Sequence, residues 1–114
     1  MKVLVCGDRR WGDLSAILAR LEKLPVGTVI IEGGATGADR LAQIAAVRLG
    51  LVVAEFPAEW GKYGKRAGPI RNRRMLDEKP DLVIAFHSNL AVSRGTKDTV
   101  NEARRRGIPV EIIT

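Results

Sequence analysis

Five short apolar runs alternate with stretches whose apolar residues recur at helical spacing. That alternation restricts the fold more than any other feature of the chain. The runs are residues 2–6 (KVLVC), 28–32 (TVIIE), 51–56 (LVVAEF), 81–86 (DLVIAF) and 109–113 (PVEII). Between them, residues 14–24 carry apolar side chains at 14, 17, 18, 21 and 24, and residues 36–49 place Ala38, Leu41, Ala42, Ala45 and Leu49 on one face. Two more helices are expected over 69–78 and 96–106. Asp13 is the expected cap of the first helix, Pro69 the N1 residue of the third and Gly107 the C′ residue of the fourth. Strict alternation of strand and helix implies a parallel sheet covered on both faces, and near-continuous apolar strands suit burial on both sides. Right-handed crossovers then leave few topologies. The expected fold is α/β: a Rossmann-like doubly wound parallel sheet of five strands, order 3-2-1-4-5, with helices on both faces. It forms one domain over residues 1–114.

That strand order opens a crevice between the first and fourth strands at their carboxyl ends. Gly7–Trp11, Gly33–Asp39 and His87–Thr96 all point there, and the start of the third helix lies close by. The second of these segments, GGATGAD, turns a strand into a helix. Glycine permits positive φ and lets a ligand approach the backbone, and a helix N-terminus offers unpaired amides and a partial positive charge. Gly33, Gly34, Ala35, Thr36 and Gly37 therefore form a candidate anion site, the alternative being a tight turn before a capped helix. Thr36 and Asp39 have capping-box spacing. Since Asp39 would repel phosphate, its functional role would be to meet ribose hydroxyls. The P-loop pattern and G-x-G-x-x-G are both absent. Glu55 ends the third strand near where a ribose-binding acid falls in dinucleotide enzymes, but without their glycine spacing.

GDRRWGD (7–13) follows the first strand. Gly7 allows a sharp exit, Arg9 and Arg10 can clamp phosphate through forked donors, and a base or ribose would lie near Asp8 and Trp11, unless Trp11 simply covers the core edge. Arg71 and Asn72 open the third helix, where a cation opposes the helix dipole and so suggests a bound anion. Gly95 and Thr96 form a second phosphate-type turn, with Thr96 as the expected cap and Asp98 either catalytic or structural. His87, the sole histidine, could shuttle protons. Cys6 is expected to be buried. No Cys/His cluster suggests a metal, and no cofactor is implied.

Lysine and arginine total 19 against 13 acids, a net charge of +6, which favours anionic partners. Lys62, Lys65, Arg66, Arg73 and Arg74, with Trp60 and Tyr63, read either as a solvated basic face or as a surface for single-stranded nucleic acid through residues 62–74. One cysteine excludes an internal disulfide. No leader is visible, and the apolar run at 3–6 is too short for a signal or a membrane span. A soluble, cytoplasmic protein is expected, with no membrane partner.

GDRRWGD, EGGATGADRLA, PAEWGKYGKRAGPIRNRRM and GTKDTVNEARRRGIPV together resemble the YspA-type, YpsA-related branch of the SLOG superfamily, over nearly the whole chain. That superfamily includes the lonely-guy phosphoribohydrolases and DNA-processing protein A. The resemblance implies a nucleotide-binding domain, a homodimer and frequent carriage by phages or mobile elements. It also implies a function among nucleotide hydrolysis, nucleotide sensing and single-stranded DNA binding. The lonely-guy pattern R-K-x-x-M looks like Arg71–Met75 with Asn72 in place of lysine, which aligns Arg71 with a catalytic arginine. Their P-G-G-x-G-T-x-x-E is similar only to Gly95–Thr99. Thr99 stands at the catalytic glutamate position, leaving Asp98 or Asp39 to substitute.

Overall fold

Alternate residues of the first strand enter two different cores. In the computed structural model, which describes residues 1–114, β1 (Lys2–Gly7) turns Val3 and Val5 toward one face and Leu4 and Cys6 toward the other. On the first face lie α1 (Leu14–Leu21) and α2 (Ala38–Arg48), which bury Ile17, Leu21, Ala42 and Ala45 against the sheet. On the second lie α4 (Ala67–Asp77) and α5 (Gly95–Arg105), with Met75, Leu76, Val100 and Ala103. The remaining strands are β2 (Val29–Glu32), β3 (Val52–Glu55), β4 (Leu82–Phe86) and β5 (Val110–Ile113). All pair in parallel, in the order β3-β2-β1-β4-β5. The expected topology is the observed one. β1 is central because both faces and both edges of Val3–Val5 are covered. β3 lies at an edge and is only partly buried.

Local chemistry accounts for the helix ends, with three departures from expectation. Asp13 caps α1 as expected, accepting from the Ala16 amide at 3.0 Å. Gly107 ends α5 with φ 76°; its amide reaches Arg104 O and that of Ile108 reaches Ala103 O, the paired bonds of a Schellman turn. Pro69, by contrast, is the third residue of α4 and not the first, because the segment before it is itself wound: α3 (Trp60–Tyr63) and a 3-10 turn, Gly64–Arg66, run straight into α4. A proline there is harmless, since first-turn amides have no intrahelical acceptor. Thr36 does not cap α2; Gly37 does, at φ 75° and without a side-chain bond. Thr96 does not cap α5 either. Ser93 Oγ accepts from the Thr96 and Lys97 amides at 3.1 and 3.4 Å, and Thr96 is buried inside the helix.

α4 ends differently from α5. Lys79 occupies the left-handed region (φ 55°), with its amide on Leu76 O at 3.0 Å. Pro80 follows and has no amide to complete the second bond. A side chain at this φ costs stability that glycine does not. Lys79→Gly should therefore raise stability by about 1 kcal/mol, read as a higher urea midpoint at unchanged m-value. An unchanged or lower midpoint would show that the lysine side chain is anchored.

Candidate functional site

The sheet's carboxyl edge is built around close approaches that only glycine permits. A Cβ on Gly37 would collide with the Arg9 carbonyl and with Asp8 O. That contact lets the Ala38 amide bond Asp8 O at 3.0 Å, pinning the β1–α1 loop to the start of α2. A Cβ on Gly33 would meet Arg71 Nη1, and one on Gly34 would meet Glu55 Oε1. Gly7 approaches Phe86 O and Ala38 in the same way. At these glycines other parts of the chain make the close approach.

Arg71 reaches over the end of the sheet from α4. Its Nη1 donates to Gly33 O at 2.7 Å and its Nε to Asn72 Oδ1 at 2.9 Å. Asn72 is buried and passes the connection on, donating Nδ2 to Asp98 Oδ2 at 3.1 Å and to Gly95 O at 3.4 Å. Asp98 also receives Arg73 Nη1 at 3.2 Å. One polar chain thus ties the glycine turn, α4 and the start of α5 together.

Behind Arg71 sits a nest of carboxylates. Glu32 and Glu55 are register partners on adjacent strands, and Asp39 approaches from α2. Glu32 is fully buried; its Oε2 accepts from the Gly34 amide at 2.9 Å while Oε1 has no partner. Burial pushes its pKa up to about 7; the Gly34 amide opposes that, and Asp39 and Glu55 add to it. Burial likewise raises Asp39 to about 6, against the Ala35 amide (3.3 Å) and Arg71, both of which favour its charged form. Cys6 is raised as well, chiefly by burial and then by Asp39, so its thiol stays protonated.

A cleft of ≈ 510 Å³ opens in front of this nest, at the reversal of strand order between β1 and β4. Many of the expected residues border it: Gly7, Asp8, Arg9 and Arg10 from the β1–α1 loop, Ala35 and Asp39 from the α2 start, Arg71 and Asn72 from α4, and Gly95 and Thr96 from α5. Others do not. Trp11 packs on Phe86 with ring centroids 5.6 Å apart, and its Nε1 bonds Asp13 O. Gly33, Gly34, Thr36 and Gly37 are not among the residues that border it, and Thr36 is exposed. Asp98 is also off the cleft, occupied by Asn72 and Arg73. The amides of Gly34, Ala35 and Ala38 are taken by Glu32, Asp39 and Asp8 O, so internal carboxylates and a carbonyl already occupy this turn. At α5 the Gly95 amide carries no hydrogen bond, and Arg94, exposed, stands beside it on the rim.

Arg94, Val92 and Ser93 carry no motif in the sequence, and no local pattern gives His87 a partner. All four border the cleft. Ser93 stood in the sequence as a rival cap to Thr96, three residues earlier; choosing it would have drawn in Arg94 and Gly95 as the exposed start of the helix. His87 closes β4 with Nε2 3.9 Å from Asp8 Oδ2, a pairing that depends on β4 lying beside β1.

The cleft lies at the carboxyl edge of a Rossmann-like α/β sheet, where the strand order reverses. The family model for YspA, cpYpsA-related SLOG proteins matches residues 1–63. The Gene 61 protein of Mycobacterium phage D29 is 36% identical over 118 residues, spanning 96% of this chain and 93% of that protein. The chain belongs to the YspA, cpYpsA-related SLOG family. Its fold is similar to the X-ray structure of DNA processing protein A from Streptococcus pneumoniae, with a TM-score of 0.76 at 22% identity. That likeness covers 99% of this chain and 50% of the other, so the chain spans about half that protein's length. No helix is long and apolar enough to cross a membrane.

The buried acids set a pH dependence whose sign is fixed. Folded pKa values of about 7 for Glu32 and about 6 for Asp39 lie above their ordinary values of 4.5 and 3.8. The folded state therefore holds these protons more tightly. Their contribution is fully present below pH 3.8 and is lost as pH rises through about 6 and about 7. Glu32→Gln should flatten the fall in urea-unfolding free energy between pH 4.5 and about 7. At pH 8 it should leave the variant more stable by on the order of 2 kcal/mol. An equal slope in both proteins would show that Glu32 is ionised without penalty.

Proposed function

We propose that this chain binds a nucleotide or nucleotide-derived ligand in the cleft at the carboxyl edge of the sheet, as a sensor or sequestering module in the cytoplasm. The observation that carries the reading is the division of the cleft. Cations line its rim, from Arg9 and Arg10 on one side to Arg94 and the unbonded Gly95 amide on the other, while Asp8, Asp39 and His87 line its floor. An anionic group belongs at the rim, where a helix N-terminus and forked donors converge. Hydroxyl-bearing groups belong on the floor. Val92, 75% exposed at the lip, offers an apolar face to a base in place of Trp11. Arg71 would act from behind, holding the Gly33 turn, with its Nη2 carrying no hydrogen bond to the protein.

N-glycosidic hydrolysis is the enzymatic version of this reading. It needs a carboxylate facing the ribosyl centre. Asp98 is held by Asn72 and Arg73, and Thr99 Oγ1 donates to Gly95 O at 3.3 Å. Of the acids expected to act there, Asp39 alone borders the cleft. These contacts favour binding over cleavage.

Single-stranded nucleic acid is the rival occupant, through residues 62–74. Within that segment Arg71 and Asn72 turn to the cleft, Arg73 pairs with Asp98 and Glu102, and Arg74 lies against Glu59 and Tyr63. Lys62, Lys65 and Arg66 remain, beside Trp60 at 59% exposure. Three cations make a short track, so a mononucleotide in the cleft is favoured. A homodimer belongs to the same reading, supported by the unpaired outer edge of β3 and the exposed Val47 and Val52; light scattering should give twice the mass of one chain.

Isothermal titration with nucleoside 5′-mono- and diphosphates should give saturable binding at physiological salt. Arg94→Ala should weaken it about tenfold, and protein at substrate concentration should release no free base. Binding that grows with oligonucleotide length and collapses with salt, with none to mononucleotides, would transfer the function to the 62–74 surface.

A further inference from the structure

One pair on the cleft floor has hydrogen-bonding capacity that the protein itself leaves unused. His87 is 7% exposed. Its Nδ1 accepts the Asn89 amide at 3.0 Å, so the neutral ring carries its proton on Nε2. Nε2 stands 3.9 Å from Asp8 Oδ2, beyond hydrogen-bond reach. Asp8 is fixed too: its Oδ1 accepts the Arg10 amide at 2.9 Å, and nothing in the chain donates to Oδ2. An oriented donor and an oriented acceptor therefore stand side by side where β1 meets β4, both on the cleft surface.

The chemistry of that pair narrows what can occupy it. A phosphate would meet the Asp8 charge, while the cations stand at the rim. An apolar group would leave a carboxylate oxygen and an imidazole N–H desolvated and unpaired, which costs more than any contact returns. A vicinal diol satisfies both, with one hydroxyl donating to Oδ2 and its neighbour accepting from Nε2–H. We propose that Asp8 and His87 form a ribose cis-diol subsite, so that the cleft selects ribonucleotides over 2′-deoxyribonucleotides. The inference rests on the nucleotide reading above and adds the sugar to it.

The test is titration of the full chain with AMP, GMP, CMP and UMP and with their 2′-deoxy counterparts. The best ribonucleotide should bind about tenfold or more tightly than the same base on deoxyribose, since a site built for a hydroxyl is left unpaired without it. Asp8→Ser retains an acceptor for the Arg10 amide, and His87→Asn retains one for the Asn89 amide. Each removes one partner of the diol. Each should weaken ribonucleotide binding, and the variant that loses the partner of the 2′-hydroxyl should bring the ribose-to-deoxyribose ratio to within about twofold. Equal binding of both sugars by the unaltered protein overturns the subsite and leaves the nucleotide reading standing, and so does a ratio that survives in both variants. Binding of none of these nucleotides overturns both.

Discussion

The hydrogen bond from Arg71 to Gly33 O joins the two helical layers across the end of the sheet. Arg71 belongs to α4, on the second face; Gly33 opens the turn into α2, on the first. A guanidinium can make that crossing because Gly33 has no Cβ to obstruct it. Its charge also stabilises the ionised forms of Glu32 and Asp39, which burial drives toward neutrality. Through Asn72 the same side chain reaches α5, so both walls of the cleft are set by one polar chain. A buried network of this kind is costly if half satisfied, and the unpartnered Glu32 Oε1 is where this one is incomplete.

The glycine turn shows how a phosphate-type signature can serve the protein's own packing. Glycines at a strand-to-helix junction are equally suited to a ligand and to another piece of backbone, because both need a missing Cβ. Here the Asp8–Arg9 backbone, Arg71 and Glu55 fill the space, and internal acceptors use the amides of Gly34, Ala35 and Ala38. The anion-binding role in our reading passes to the start of α5. There Ser93 occupies two amides and leaves that of Gly95. The cleft keeps the polarity expected of a nucleotide site, cations outside and hydrogen-bonding groups within, but distributes it differently over the chain.

The architecture was legible because it depends on periodicity alone. Strand parity, helix spacing and right-handed crossovers led to order 3-2-1-4-5, and Asp13 and Gly107 took their expected places. Local preference points to Thr36, Thr96 and Pro69 for helix starts, yet each start has a rival within three residues: Gly37, Ser93 and Ala67. Trp11 has two readings in the sequence, base stacking and core edge; in the structure its ring packs on Phe86. Phe86 is 75 residues distant along the chain, so no local pattern could reveal the contact.

That this chain is a doubly wound α/β domain, with its polar and glycine-rich segments gathered at one sheet edge, is readable from the residues alone. Both follow from the alternation of apolar periods, a property each segment carries alone. Which side chains at that edge remain free depends on long-range packing. It turned Asp98 to Arg73, gave the Gly34 amide to Glu32 and stood His87 beside Asp8. Hydrogen-bond capacity is spent on whichever partner packing brings within about 3 Å, and for these residues that partner comes from a distant segment or competes with nearer ones.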